Sequence, residues 1–229
     1  MDFMEYRIIS IGALDVHPLR GERTAVRTGH ATTTLVRSGQ TTILVDPGLP
    51  PQPLAARLEE RTGLKPGDIT HVYMTSFRPD VRRGLELFDG SSWVIAERER
   101  ESVGVAMIEA FRRAAESGEE ELASALEKDI ALLRRCEAAP DRLAPRVDLF
   151  PLPGVTPGLT GLVLAGPRHT TVIAGDAVPT EEHLTQGKVL PWAPDVTQAR
   201  ESFAEVIEIA DLIILGRDNL VVNPTKRPF

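Results

Sequence analysis

Five short segments place polar or glycine residues directly after an apolar run. They are Asp46-Pro47-Gly48, Thr75-Ser76-Phe77-Arg78-Pro79-Asp80-Val81, Gly154-Val155-Thr156-Pro157-Gly158, Gly175-Asp176-Ala177 and Gly216-Arg217-Asp218. Open α/β sheets build their sites at such strand ends. The chemistry on offer is that of carboxylates, guanidiniums and a hydroxyl. Carboxylates without histidine suit a hard, oxygen-preferring ion such as Mg²⁺ or Mn²⁺, and guanidinium forks match carboxylates bidentately. Ser76 would need a base beside it to act as a nucleophile. Its surroundings offer only Arg78 and Asp80. Singly, each segment is weak, since a strand ending in Asp-Pro-Gly is ordinary turn chemistry and Asp46 can simply cap that turn.

The five histidines, His17, His30, His71, His169 and His183, fall outside these segments, and none has an H-x-H or H-x-x-x-H partner. Each therefore reads as structural: His71 within a strand, His169 in a solvated turn.

The elements that must position these segments are legible as alternating patterns. Short aliphatic or β-branched runs bounded by Gly, Pro, Asp or Ser predict strands at 7–11, 33–36, 42–45, 71–74, 93–96, 149–152, 159–164, 171–174 and 212–215. Helical periodicity marks Leu54 to Leu58, with Gly63 placed as a C-terminal cap, then Met107-Phe111-Ala114, then Leu122 to Leu133. A fourth stripe runs from Val196 to Ala210, opened by Asp195 with Gln198 three residues on. The Glu-, Arg- and Ala-rich stretch from about 98 to 143 shows no strand pattern and is expected to be a helical hairpin inserted between two strands. Alternating strands and helices predict a mixed α/β architecture, read as a single domain over 1–229.

Composition narrows the function classes. The chain has 229 residues, 42% apolar and 26% charged, with a net charge of −7. That is a globular composition whose acidic surface is a poor start for nucleic-acid binding. No apolar run approaches the length of a membrane helix, and the stretch MDFMEYRIIS shows no export signal. A single cysteine, Cys136, excludes an intramolecular disulfide and a cysteine-based zinc cluster. The expectation is a cytoplasmic protein binding neither nucleic acid nor membrane.

In order and separation, the five segments resemble the framework of the metallo-β-lactamase superfamily. There a strand ends in Asp and Gly, a Thr-His-x-His-x-Asp-His signature follows, then Gly-His-Thr-Pro-Gly, a Gly-Asp after a strand, and a late Gly-His. The likeness runs from about Thr33 to Asn223. It implies an αββα four-layer sandwich carrying the helical hairpin as an insertion. Carried over residue by residue, the signature histidines fall on Ser76, Arg78 and Val81, the histidine of the third segment on Val155, and the late one on Arg217. Asp80 and Asp176 keep the family's aspartates.

A catalytic zinc takes about three protein ligands. Valine has no donor atom and arginine no lone pair to give, so the resemblance implies the fold without zinc or another cofactor. Two carboxylates sharing the vacated centre, ~4 Å apart, would repel by about 4 kcal/mol at an effective dielectric near 20. Arg78 and Arg217 are expected to answer them in an ion cluster with Asp80 and Asp176. The function this implies is binding, with a degenerate pocket of Asp46, Ser76, Arg78, Asp80, Val81, Val155, Asp176, Arg217 and Asp218 recognising a small anionic molecule, with Arg82 or Arg83 as a further cationic contact. The alternative is a hydrolase with a rebuilt, carboxylate-rich site holding a divalent metal at Asp80 and Asp176, with Asp46 and Asp218 nearby. The helical insertion could form a lid or a homo-oligomer interface.

Overall fold

A computed structural model describes residues 4–226. The first three residues of the N-terminal stretch considered for an export signal lie outside them. Two six-stranded sheets stack face to face, each built from one half of the chain. The first runs in sequence order: β1 (Met4–Ser10), β2 (Thr33–Ser38), β3 (Thr41–Val45), β4 (His71–Met74), β5 (Ser92–Ile95) and β6 (Glu137–Ala138). Its first three strands are antiparallel and β3 through β6 are parallel. The second sheet consists of β7 (Arg142–Ala144), β8 (Val147–Pro151), β9 (Thr160–Ala165), β10 (Thr170–Gly175), β11 (Leu212–Leu215) and β12 (Leu220–Val222). There β10 and β11 are parallel and the other pairings antiparallel.

Strand periodicity explains the four layers. Successive side chains point to opposite faces, so in β3 Ile43 and Val45 enter the space between the sheets, while Leu44 turns outward to Leu54 and Leu58 of α1 (Pro51–Thr62). In β4, Tyr73 faces the second sheet and Val72 and Met74 face the helices. Across the sandwich, Ile173 and Ile214 point inward. Val172, Ile213 and Leu215 pack under Phe203 and Val206 of α5 (Val196–Ile209). Both strands buried on two faces read as continuous apolar runs, as parallel strands do.

Helix ends follow local chemistry. Gly63 closes α1 at φ 72°, its N–H donating to the Glu59 carbonyl, and Asp195 caps α5 by accepting from the Gln198 N–H.

Helices α2 (Glu97–Glu116) and α3 (Glu120–Arg135) form the hairpin between β5 and β6, and a short α4 (Glu181–Gln186) follows β10. The stretch from 98 to 143 does contain strand structure, which corrects the sequence expectation. The two-residue β6 extends the first sheet beside β5, and β7 begins the second beside β8. Strands of two or three residues are too short to show a period of two, and both β6 residues are exposed.

Candidate functional site

The ends of β3, β4, β10 and β11 meet at one edge of the sandwich, and the five segments leave the sheets there. Asp46 follows β3 with φ 52°, a left-handed conformation uncommon outside glycine. Its carboxylate accepts from the Thr75 N–H at 2.7 Å and the Thr75 hydroxyl at 2.8 Å, fastening β3 to the loop after β4. Gly48 must be small because a Cβ there would sit 2.6 Å from the Ala31 nitrogen and 2.9 Å from the Asp80 carbonyl oxygen.

At the centre lies Arg217, its side chain 1% exposed. Its Nε and Nη2 donate to the two oxygens of Asp176, each at 2.7 Å, and its Nη1 donates to Asp80 Oδ2 at 2.5 Å. Burial pushes the Asp176 carboxyl up, but the guanidinium outweighs burial and holds it below its ordinary value. Burial likewise lowers Arg217, and the two carboxylates more than reverse this, so it stays protonated. Asp46 lacks such a partner, and burial raises its carboxyl to about 7 despite the Thr75 bonds.

The two arginines behave differently. Arg78 stands at the rim, a third exposed, with Nε 3.5 Å from Asp80 Oδ1 and 3.8 Å from Asp176 Oδ2. These are ion-pair separations without the bidentate geometry expected of both residues. Arg82 is committed elsewhere: it pairs with Asp129 of α3 at 2.7 Å, donates to the Phe77 carbonyl and covers the Phe77 ring. Arg83 donates to the Gly29 carbonyl.

Asp218 does not join the cluster. Its carboxylate accepts from the backbone N–H groups of Glu181 and Asn219. Val81 is buried with Leu54, Leu85 and Phe88, and Val155 with Leu14 and Ala199, so two positions of the signature are apolar core. Ser76 is fully buried, and its hydroxyl has no hydrogen-bond partner among the described residues.

A dinuclear metal centre does not fit these residues. Three of the four oxygens of Asp80 and Asp176 are engaged by a permanent cation. Among the described residues no group of three or more His, Cys, Asp or Glu is arranged to hold a metal ion.

The sequence missed Glu99, which looks like part of a solvated helical face yet is fully buried in the first turn of α2. It accepts from the Phe77 N–H, the Thr156 hydroxyl and the Gly158 N–H, at 3.0, 2.7 and 3.1 Å, joining two loops of the site. Burial raises its carboxyl, and these bonds partly offset the rise. Gly158 permits this approach: a Cβ there would lie 2.1 Å from the Glu99 nitrogen. Also missed was the meeting of His17 and His183, with ring centroids 5.3 Å apart. No spacing could reveal either, because each depends on contacts between distant segments.

Solved structures place this arrangement in a known fold class. The chain is similar to a candidate metallo-beta-lactamase of Thermotoga maritima, at 19% identity over 96% of this chain and 99% of that one, with a TM-score of 0.68. It is similar to a candidate metal-dependent hydrolase of Staphylococcus aureus, at 16% identity over 96% and 92%, with a TM-score of 0.70. The dizinc quorum-quenching lactonase AidC aligns at 18% identity over 84% and 74%, with a TM-score of 0.68. No sequence family and no curated protein matches the chain. The protein has the metallo-β-lactamase fold, as a mixed αββα sandwich. Within that fold it is a divergent form, with Ser76, Arg78, Val81, Val155 and Arg217 at the positions where the signature has histidine. No helix among the described residues is long and apolar enough to cross a membrane.

Proposed function

We propose that this protein uses a metallo-β-lactamase frame without zinc, as a binding protein rather than a metallohydrolase. The observation that carries this reading is the seat of Arg217, whose guanidinium joins Asp176 and Asp80 at the centre of the strand ends. It supplies the positive charge that the two carboxylates require, at a position where the signature has a ligand. The ligand in this reading is a small anionic molecule met at the rim by Arg78, whose Nη1 and Nη2 groups have no hydrogen-bond partner among the described residues. A cytoplasmic location belongs to the same reading, as does self-association through the α2–α3 hairpin, where Val105, Ile108 and Leu122 are exposed.

The rebuilt divalent-metal site is the weaker reading, because Asp218 turns to backbone donors, Asp46 accepts from Thr75, and Arg217 engages Asp80 and Asp176.

Two measurements test the proposal. Elemental analysis of the purified protein is expected to find zinc, magnesium and manganese far below one ion per chain; a stoichiometric metal would overturn it. Thermal unfolding with phosphate, acetate or succinate is expected to show saturable stabilisation, about 2.7 kcal/mol at a hundredfold excess over Kd. Arg78→Ala should abolish the effect. If no anion shifts the transition, the binding half of the proposal fails.

A further inference from the structure

Arg78 stands at the rim with little of its own to hold it there. Its Nε lies 3.5 Å from Asp80 and 3.8 Å from Asp176, separations too long for good hydrogen bonds. The backbone that carries Arg78 therefore decides where its guanidinium stands. That backbone is one tight turn, in which the Val81 and Arg82 N–H groups both donate to the Arg78 carbonyl, at 3.0 and 3.3 Å. Whatever fixes Phe77 before Arg78 and Arg82 after it also fixes the turn.

The helical hairpin holds both of these residues. Glu99 of α2 accepts from the Phe77 N–H at 3.0 Å. Arg82 pairs through Nη2 with Asp129 Oδ2 of α3 at 2.7 Å. From there the Arg82 side chain folds back across the turn. Its Nε donates to the Phe77 carbonyl at 3.2 Å, and its guanidinium carbon lies 4.3 Å from the centre of the Phe77 ring. Phe77 is itself buried with Leu54, Leu85 and Phe88, which gives that ring a firm seat. A single guanidinium thus joins α3 to both ends of the Arg78 turn. Only 9% of the Arg82 side chain is exposed, so its charge acts inside the fold and not on a solute.

Given the anion reading, on which this rests, we infer that Arg82 and Asp129 are positioning residues through which the α2–α3 hairpin controls the anion affinity of Arg78. A loop that must be ordered on binding lowers affinity, and a turn already held in place avoids that cost. Removing the Asp129 charge leaves Arg82 unanswered in a mostly enclosed position. Its guanidinium is then drawn toward water, away from the Phe77 ring and carbonyl, and the turn loses its brace.

A second tie of α3 to the first sheet offers a matched comparison. Arg135 pairs with Asp89 at 3.0 Å, and its guanidinium carbon lies 3.8 Å from the centre of the Trp93 ring. The chemistry is the same, an arginine laid on an aromatic ring and paired with an aspartate. Asp89, however, follows Phe88 and holds no part of the Arg78 turn.

Calorimetric titration with succinate and hydrogen exchange resolved by peptide, on Asp129→Asn, Asp129→Glu, Asp89→Asn and the unaltered protein, separate positioning from stability. Asp129→Asn is expected to bind succinate about tenfold more weakly. Its peptides covering 77–85 should exchange faster, with the β10 and β11 peptides unchanged. Asp129→Glu restores the carboxylate and should recover most of the affinity, while Asp89→Asn should stay within about twofold of the unaltered protein. Equal succinate affinity in Asp129→Asn and the unaltered protein overturns the inference and leaves the anion reading standing. Equal weakening in Asp89→Asn also overturns it, since a general loosening of the hairpin would then be the cause. If the unaltered protein binds neither succinate nor phosphate, the anion reading fails, and exchange alone decides whether the pair positions the turn. Unchanged protection of 77–85 in Asp129→Asn then overturns that as well, and faster exchange confined to 77–85 supports it.

Discussion

Arg217 and Asp176 face one another through two hydrogen bonds of 2.7 Å, and each residue is only 3% exposed. Such a pair adds little net stability, because desolvating both charges costs about as much as their attraction returns. Removing one partner is different, since it strands the other charge. Arg217→Met is expected to lower unfolding free energy by about 3–5 kcal/mol. Asp176→Leu combined with Arg217→Met should recover much of that loss, although Asp80 then lacks its strongest donor. Urea denaturation of the two single variants and the double variant gives the coupling directly.

The pH dependence of stability carries the signature of Asp46. Its folded carboxyl holds a proton up to about 7, whereas in the unfolded chain it loses that proton near 4. Stability is therefore lost as pH rises through this interval, by on the order of 4 kcal/mol if nothing relaxes. Glu99, also raised by burial, acts in the same direction. His183 acts in the opposite one, losing stability as pH falls from 6.5 toward about 4. The contribution of Asp176 is present above the ordinary carboxyl value and disappears in stronger acid. Asp46→Asn should leave stability rising more steeply between pH 4 and pH 7 than in the unaltered protein, as read from urea midpoints at each pH.

The contact between Glu99 and Gly158 sets a steric limit. Gly158→Ala places a methyl group against the backbone of α2 and is expected to cost more than about 3 kcal/mol. Glu99→Gln retains an acceptor for one loop only and should cost about 1–3 kcal/mol. Chemical denaturation of the two variants distinguishes overpacking from loss of the hydrogen-bonded clamp.

Cys136 should be chemically silent in the folded protein. It is 1% exposed, and burial pushes its thiol up to about 11, so little thiolate is present at neutral pH. Reaction with a thiol reagent at pH 8 is expected to proceed at the rate of unfolding. Rapid labelling of the native protein would show that the end of α3 opens readily.

Several features were legible because they depend on neighbours in sequence. Gly63 ends a helix by its own left-handed geometry, and Asp195 caps α5 through an N–H three residues away. The apolar runs of β3, β4, β10 and β11 reflect burial on both faces and gave a mixed α/β architecture, while the αββα sandwich followed from the resemblance that the order of the Asp- and Gly-bearing turns carries. Glu99 escaped notice because its helix is otherwise strongly charged, and only the approach of Gly158 makes its position an interior one.

By itself, the sequence determined which side chains stand at the strand ends, and hence that histidine is missing from the places where the signature has it. Only the tertiary structure decided that Arg217 bridges Asp80 and Asp176, that Arg78 remains at the rim, that Asp218 turns away, and that His17 meets His183. The reason is one of range. Caps and strand periodicity act over a few residues, whereas an ion pair or an imidazole contact depends on distances of a few ångströms between segments far apart along the chain. Those distances exist only once both sheets have packed.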